Sequence, residues 1–277
     1  MQFLHSLIYG LLSGLAEFLP TSGQALQAFL MQLFGIEHRQ PLLDLMVHSS
    51  LIVALLTACR SMFMRIRRDQ SVYSGRGRSA SIPHSVSKSM QDLRVVRTTA
   101  IPMVLLFLGY LAAAAFEFKI IALFIILIVN GIILFVSEHI RHGNKDAKTV
   151  TGLEAVLIGA VTGLSLFPGI SRIGACISAS MANGVERQNG ANWALMLSLP
   201  ALVLFVAFDL VGLFVYGFGS ITFLIFLGYV VAALMAFVGG YISILLLRFV
   251  VEHTGLIPFA FYSWGLGLFM FFLYLIT

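Results

Sequence analysis

The sequence predicts an all-α polytopic membrane protein in which residues 1–277 form a single membrane domain. Composition is the first observation behind this prediction. Of the 277 residues, 59% are hydrophobic and only 10% are charged, and the mean hydropathy is +0.97. Soluble globular domains carry about 25% charged residues. Most of the apolar surface of this chain must therefore lie against lipid or against neighbouring helices.

The lengths of the apolar stretches are the second observation. A bilayer core about 30 Å thick requires roughly 20 apolar residues per helix. Six stretches are long enough, and they predict six transmembrane helices at residues 41–59, 98–116, 119–137, 191–214, 220–248 and 257–277.

Four further apolar stretches are too short to span a bilayer. They lie at residues 3–19, 24–36, 151–167 and 172–184. They form two pairs, one interrupted at Pro20–Gly23 and the other at Pro168–Ser171. Short helices that meet at proline and glycine are typical of re-entrant pairs, because irregular backbone at membrane depth is tolerated only inside protein or against a water-filled cavity.

An internal repeat relates the two pairs. Residues 10–18 read GLLSGLAEF and residues 159–167 read GAVTGLSLF, and a proline follows each copy closely. The similarity predicts one repeat over about 1–137 and a second over about 151–277.

Basic residues predict the orientation of these repeats. Segments 60–97 and 139–150 hold most of the Lys and Arg, so both are expected to be cytoplasmic loops. Counting spans from them places both termini outside and makes the two re-entrant pairs enter from opposite faces, as an inverted-topology repeat. Residues 71–87 are rich in Ser, Gly and Arg, which predicts flexibility. The basic charge of this loop either determines the orientation of the protein in the membrane or contacts anionic lipid headgroups.

Two ionisable residues beside the breaks are candidates for function, since charges at membrane depth are costly. Arg172 offers a planar fork suited to phosphate, at the start of a half-helix whose free N–H groups favour anions. For Glu17 three roles are open: general base, ligand of a divalent cation held against pyrophosphate, or neutralising partner of Arg172. For Ser22 and Ser171 the open roles are helix capping, donation to phosphate, or attack on phosphorus.

A second pair of candidates lies on the first predicted span. Asp44 and His48 are four residues apart on one helix face, so they are expected to reach each other and the same cavity. His48 is then a candidate acid or base with Asp44 in support. Asp209, near the end of its span, is interpreted as structural. The expected partners are phosphate-bearing membrane lipids, and no nucleic-acid partner is expected.

The two breaks also carry longer motifs. Residues 13–26 read SGLAEFLPTSGQAL, residues 168–176 read PGISRIGAC, and Asp44-Leu-Met-Val-His48 lies between them. These motifs resemble the signatures ExxxEFLPxSSxGH, PGxSRSxxT and FDxxxHxGT of the bacterial undecaprenyl pyrophosphate phosphatases of the bacitracin-resistance type. The resemblance runs along nearly the whole chain.

The resemblance implies six spanning helices with two inverted re-entrant pairs, in the plasma membrane of a bacterium. It also implies a phosphatase that hydrolyses undecaprenyl pyrophosphate to the monophosphate, which returns the carrier lipid to peptidoglycan synthesis. Mg or Ca is the expected cofactor, with Glu17 as its protein ligand. The implied catalytic residues are Glu17, His48 and Ser22. The implied pyrophosphate-binding residues are Arg172, Ser171, Gly169 and Ser22, supported by Asp44, Thr21 and Gln24.

Several signature positions are replaced in this chain. The first family glutamate is Ser13, the second signature serine is Gly23, and the histidine falls on Leu26, or on Gln24 if a gap is allowed. Ile173 and Cys176 replace the later Ser and Thr. Loss of a general acid or base costs about 10²- to 10⁴-fold in rate, so reduced activity is expected. A catalytically silent lipid-phosphate flippase and a lipid-binding protein are the alternatives.

Overall fold

The computed structural model describes residues 3–35, 40–75, 84–113, 120–140, 143–217 and 221–276. These residues form eleven α-helices and one 3₁₀ turn, and no β-strand occurs among them. The helices are α1 (Phe3–Glu17), α2 (Gly23–Leu33), α3 (Pro41–Ala58), α4 (Arg60–Gly75), α5 (His84–Ala113), α6 (Ile120–His139), α7 (Gly152–Gly163), α8 (Arg172–Ala182), α9 (Arg187–Tyr216), α10 (Phe223–His253) and α11 (Ile257–Ile276). The predicted all-α class is confirmed.

Four of these helices are long and apolar enough to cross a membrane. They cover Pro41–Ala58, Ala122–His139, Arg187–Val215 and Phe223–His253, and each coincides with a predicted span. The other two predicted spans, 98–116 and 257–277, coincide with α5 and α11. Residues 114–119, which follow α5, and residue 277, which follows α11, lie outside the described residues. The bundle is that of a polytopic membrane protein.

The four short apolar stretches form short helices, and the two helices of each pair are in contact. The first break ends at Ser22, the N-cap of α2, whose Oγ accepts the N–H of the residue three positions later at 3.3 Å. The 3₁₀ turn Leu164–Leu166 leads into the second break. Ser171 ends that break by capping α8 in the same way, at 3.1 Å. Each of these helices begins where a serine supplies the acceptor that the first turn lacks.

The basic segment 60–97 differs from the prediction of a loop that is flexible over 71–87. Its first part is helix α4 and its last part begins α5, and residues 76–83 lie outside the described residues. No Gly or Pro interrupts residues 60–74, so nothing local prevents a helix. Ser89 Oγ donates to Asp69 Oδ2 at 2.8 Å and joins the two helices. The cytoplasmic location of this segment stays a prediction.

Small residues hold α1 against α10. Ser6, Gly10 and Gly14 recur every fourth residue on α1, and α10 carries a matching series at Gly228, Ala232, Ala236 and Gly240. A Cβ added at Gly10 would overlap the backbone of Ala232, and one added at Gly14 would overlap that of Ala236. Such series allow membrane helices to approach closely. The close packing fixes the position of Glu17, which is the last residue of α1.

Candidate functional site

The two breaks lie against each other inside the bundle. The N–H of Gly169 donates to Ser22 Oγ at 2.9 Å, and Ser171 Oγ donates to the carbonyl oxygen of Leu19 at 3.2 Å. These bonds join residues about 150 positions apart in the sequence. Each break therefore uses a serine to satisfy a backbone group of the other, which irregular backbone away from water requires.

An ion pair lies beside this contact. Arg172 Nη2 lies 2.7 Å from Glu17 Oε1, and the two side chains are only 9% and 7% exposed. The same Nη2 lies 3.4 Å from Ser198 Oγ. Arg172 Nε is buried and has no hydrogen-bond acceptor among the described residues. A buried donor without a partner costs about 1–3 kcal/mol, so this N–H marks the place of a missing acceptor.

The pair borders a cavity of about 500 Å³ in total empty volume, its open mouth included. Five of the predicted site residues line it: Glu17, Thr21, Ser22, Gln24 and Arg172. The rest of the lining is mostly apolar and consists of Gly23, Met103, Phe107, Ser165, Ile170, Ala201, Leu204 and Phe205. A small polar end within apolar walls matches the chemistry of a lipid phosphate.

The polar end of the cavity includes the start of α2. Gly23 and Gln24 are its first two residues, and N–H groups at these positions have no acceptor within a helix. Together with the helix dipole they favour an anion. Thr21 contributes to the shape of this end. Its Oγ1 donates to the carbonyl oxygen of Ala16 at 3.0 Å, which joins the first break to the last turn of α1.

The hydroxyl of Ser22 is committed as an acceptor. Its Oγ accepts the N–H of Ala25 and the N–H of Gly169, at 3.3 and 2.9 Å. A hydroxyl has two acceptor lone pairs and one donor hydrogen, so both lone pairs are occupied and only the O–H is free. Ser22 is thus placed to donate to a bound phosphate and poorly placed to attack it.

Two predicted pyrophosphate-binding residues do not line the cavity. Ser171 is 1% exposed, its Oγ accepts the N–H of Gly174, and its own N–H donates to Asn130 Oδ1 at 2.9 Å. The N–H of Gly169 is used by Ser22, and its φ of +117° suits glycine alone. In the structure both residues stabilise the second break, which is followed directly by Arg172.

His48 is paired across the bundle. Its Nδ1 lies 2.6 Å from Asp209 Oδ2, and both residues are buried. The bond therefore goes to a carboxylate of α9 and not to Asp44, one turn away on α3, whose Oδ1 accepts from Tyr9 at 3.3 Å. The His48 ring stacks on Phe205, with 5.1 Å between ring centroids, and Phe205 lines the cavity. The pair thus contacts a residue of the cavity lining without being part of that lining.

Asp209 is the partner of His48 that sequence reasoning did not identify. Its place near the end of its predicted span favours a structural role. The available signal was its chemistry: a carboxylate within a helix as apolar as α9 needs a partner. At 1% exposure it is as deeply buried as any residue of the site.

The replaced signature positions explain the present shape of the site. Ser13 is fully buried and its Oγ has no partner among the described residues. A Cβ at Gly23 would lie 2.9 Å from Glu17 Oε2, so the carboxylate occupies space that a serine there would need. Leu26, Ile173 and Cys176 are buried apolar or weakly polar side chains. Glu17 is left as the one carboxylate among the residues that line the cavity.

The described residues contain no group of three His, Cys, Asp or Glu side chains able to hold a metal ion. One carboxylate is nevertheless compatible with Mg²⁺, which is often bound through one or two carboxylates together with substrate phosphates and water. The donor set thus fits an ion that arrives with a pyrophosphate, and it does not fit a resident metal cage.

Comparison with known proteins shows the family of the chain. The family model described as bacitracin resistance protein BacA matches residues 6–269. Undecaprenyl-diphosphatase of Treponema denticola is 31% identical over 273 residues, covering 97% of this chain and 96% of the relative. The proteins of the same name from Nocardioides sp. and Carboxydothermus hydrogenoformans are 30% and 28% identical, and each comparison covers 96% of this chain and at least 94% of the relative. The chain belongs to the BacA family of bacitracin resistance proteins.

Proposed function

We propose that this protein is an integral membrane undecaprenyl-diphosphatase that hydrolyses the lipid pyrophosphate to the monophosphate. Relatives of that name cover nearly the whole chain. The observation that carries the proposal is Arg172, a buried guanidinium that borders a cavity, with one N–H lacking an acceptor and its charge balanced by a carboxylate on the same wall. An anion with several acceptor oxygens completes this arrangement.

The pyrophosphate is held at the polar end of the cavity. Arg172 binds the phosphate through the guanidinium donors that Glu17 does not use. The O–H of Ser22 and the first N–H groups of α2, those of Gly23 and Gln24, supply neutral donors. The prenyl chain lies along the apolar walls, where Met103 and Phe107 are exposed to the cavity.

Glu17 acts as the general base in this proposal. Water attacks the terminal phosphorus, its proton passes to the Glu17 carboxylate, and the bridging P–O bond breaks. The lipid leaves as the monophosphate, and inorganic phosphate is released. Phosphoryl transfer depends mainly on positioning and charge neutralisation, so few catalytic groups suffice for a measurable rate.

His48 and Asp209 take the place of the signature histidine, whose position is Leu26, or Gln24 if a gap is allowed. Asp209 accepts the Nδ1–H of His48, which leaves the Nε2 lone pair as the free acceptor of the ring. His48 is then proposed as a proton acceptor or donor beside Phe205, at the edge of the cavity lining, and Asp209 as its positioning residue. Asp44 supports the same end of α3 through its bond from Tyr9.

Mg²⁺ or Ca²⁺ is proposed to enter with the pyrophosphate, with Glu17 as its protein ligand. When bound, the ion would neutralise phosphate charge.

The proposed membrane arrangement is that of six spanning helices with α1–α2 and α7–α8 as re-entrant pairs of opposite orientation. The support is the sequence repeat and the contact between the two breaks inside the bundle. The positive-inside rule places segments 60–97 and 139–150 in the cytoplasm of a bacterium and both termini outside its plasma membrane. Hydrolysis then takes place at the outer face.

We expect Glu17→Gln and Arg172→Gln each to lower kcat by about 10²-fold or more, because one removes the base and the other the phosphate ligand. The measurement is inorganic phosphate release from undecaprenyl pyrophosphate by purified protein with Mg²⁺ or Ca²⁺. Glu138→Gln and Arg187→Gln are matched controls: they break an ion pair of 3.2 Å that does not line the cavity, and kcat is expected to survive.

Phosphate release by the wild type no faster than by the Glu17→Gln, Arg172→Gln double variant would reject the phosphatase. The flippase alternative is then tested in liposomes, by whether labelled lipid phosphate headgroups of the inner leaflet become accessible outside. Accessibility equal to that of empty liposomes rejects transport and leaves lipid binding.

Gly23→Ala is expected to lower kcat by roughly 10²-fold with little change in thermal stability, because the new Cβ displaces the flexible end of Glu17 and misplaces the base. Gly152→Ala is the control, since its Cβ would meet nothing within 4 Å. Enzyme kinetics and a melting curve of each variant in detergent test this. Unchanged kcat in Gly23→Ala would show that the position of the carboxylate is unimportant.

Asp209→Asn is expected to lower kcat by about 10²-fold while KM changes little, because the His48 ring loses its oriented tautomer but no substrate contact is removed. The pH profile of kcat should shift as well, and Asp209→Glu should recover part of the rate. If the fall in apparent kcat equals the loss of folded protein, the pH profile is unchanged and Asp209→Glu recovers no rate, Asp209 is only structural.

A further inference from the structure

A second, larger cavity lies at another level of the bundle, between α4, α5, α9 and α10. Its total empty volume, open mouth included, is about 1230 Å³. Four cationic side chains line it, namely Arg65, Arg68, Lys88 and Arg248. We refer to this cavity as the basic cleft.

The basic cleft is separate from the cavity of the proposed active site. The two linings share no residue. Along α5 their nearest members, Asp92 and Met103, are 11 residues or roughly 16 Å apart, and along α9 Met196 and Ala201 are five residues or roughly 7.5 Å apart. Between them on α9 lie Leu197 and Ser198, both fully buried.

The carboxylates of the cleft are already engaged with the protein. Asp69 accepts from Ser89 at 2.8 Å and lies 3.5 Å from Arg68 Nε. Asp92 accepts from the indole N–H of Trp193 at 3.0 Å. Against the four cations, the two carboxylates leave the cleft with a formal charge of +2. That charge complements a phosphate monoester, which carries about −1.5 to −2 at neutral pH.

Arg248 is the cation of the cleft whose position is not that of an ordinary exposed surface charge. It is half-buried on the apolar helix α10, and its Nη2 donates at 3.3 Å to the Cys59 thiol, a weak acceptor. In the part of the chain that the structure describes, no carboxylate lies within 4 Å of its guanidinium. Arg248 thus lines the cleft with a guanidinium whose one hydrogen bond among the described residues goes to a weak acceptor, and its further donors are available to an anion.

We propose that the basic cleft is a second anion site, which binds a phosphate monoester through Arg248, Arg65 and Lys88. The amides of Asn189 and Asn192 line the same cleft and offer neutral donors beside the cations. The phosphate is carried by a lipid headgroup or is free inorganic phosphate, and both sources share this recognition chemistry. The site does not depend on the hydrolytic function proposed for the cavity.

The test uses the full-length protein and two probes, phosphatidic acid and inorganic phosphate. Native mass spectrometry counts the phosphatidic acid molecules retained from mixed detergent micelles, and titration calorimetry measures inorganic phosphate binding. Arg248→Gln, Arg65→Gln and Lys88→Gln are compared with Arg67→Gln, which removes an exposed charge of α4 that does not line the cleft. Arg65 and Lys88 are exposed, so their variants remain informative if Arg248→Gln folds poorly.

The three cleft variants are expected to weaken binding roughly tenfold each, the loss of one charge-assisted hydrogen bond, while Arg67→Gln binds as the wild type does. Loss confined to phosphatidic acid identifies a lipid headgroup as the ligand, and loss of inorganic phosphate binding identifies free phosphate. Wild-type binding by all three variants, or an equal loss in Arg67→Gln, overturns the proposal.

Discussion

The structure depends on one ion pair placed where two broken helices meet. A lone carboxylate or guanidinium buried away from water costs several kcal/mol, so Glu17 and Arg172 each stabilise the buried charge of the other. The pair forms only because the small residues of α1 and α10 fix the end of α1 while Ser171 caps the helix that carries Arg172. Breaking either support leaves a buried charge, which links the packing of the bundle to the chemistry of the site.

The two breaks have unequal functions even though the sequence repeat relates them. The first supplies the carboxylate and the helix start that line the cavity, at Glu17 and Gly23. The second supplies the guanidinium, while the polar groups of Gly169 and Ser171 are used to hold the breaks together. What the chain retains is an anion-binding arrangement with a single carboxylate. A site so reduced has to obtain its rate mainly from positioning and charge.

Local chemistry was readable from the sequence. Proline, glycine and serine at the breaks predicted where short helices end and begin, and the cost of buried charge predicted that Glu17 and Arg172 share a cavity. Contacts set by the packing of distant helices were not readable. Helical spacing favoured Asp44 as the partner of His48, whereas the bundle brings Asp209 from 161 positions away. Charge counting described segment 60–97 as a loop, although its helical propensity and the Asp69–Ser89 bond make most of it helical.

The central claim is that Arg172 binds the pyrophosphate and that Glu17 competes for the same guanidinium. It is tested most directly by the affinity of a non-hydrolysable methylene-bridged prenyl diphosphonate, measured without divalent metal. Arg172→Gln should abolish binding, whereas Glu17→Gln should bind more tightly than the wild type because the competing carboxylate is gone. Equal affinity of the wild type and both variants would contradict the account.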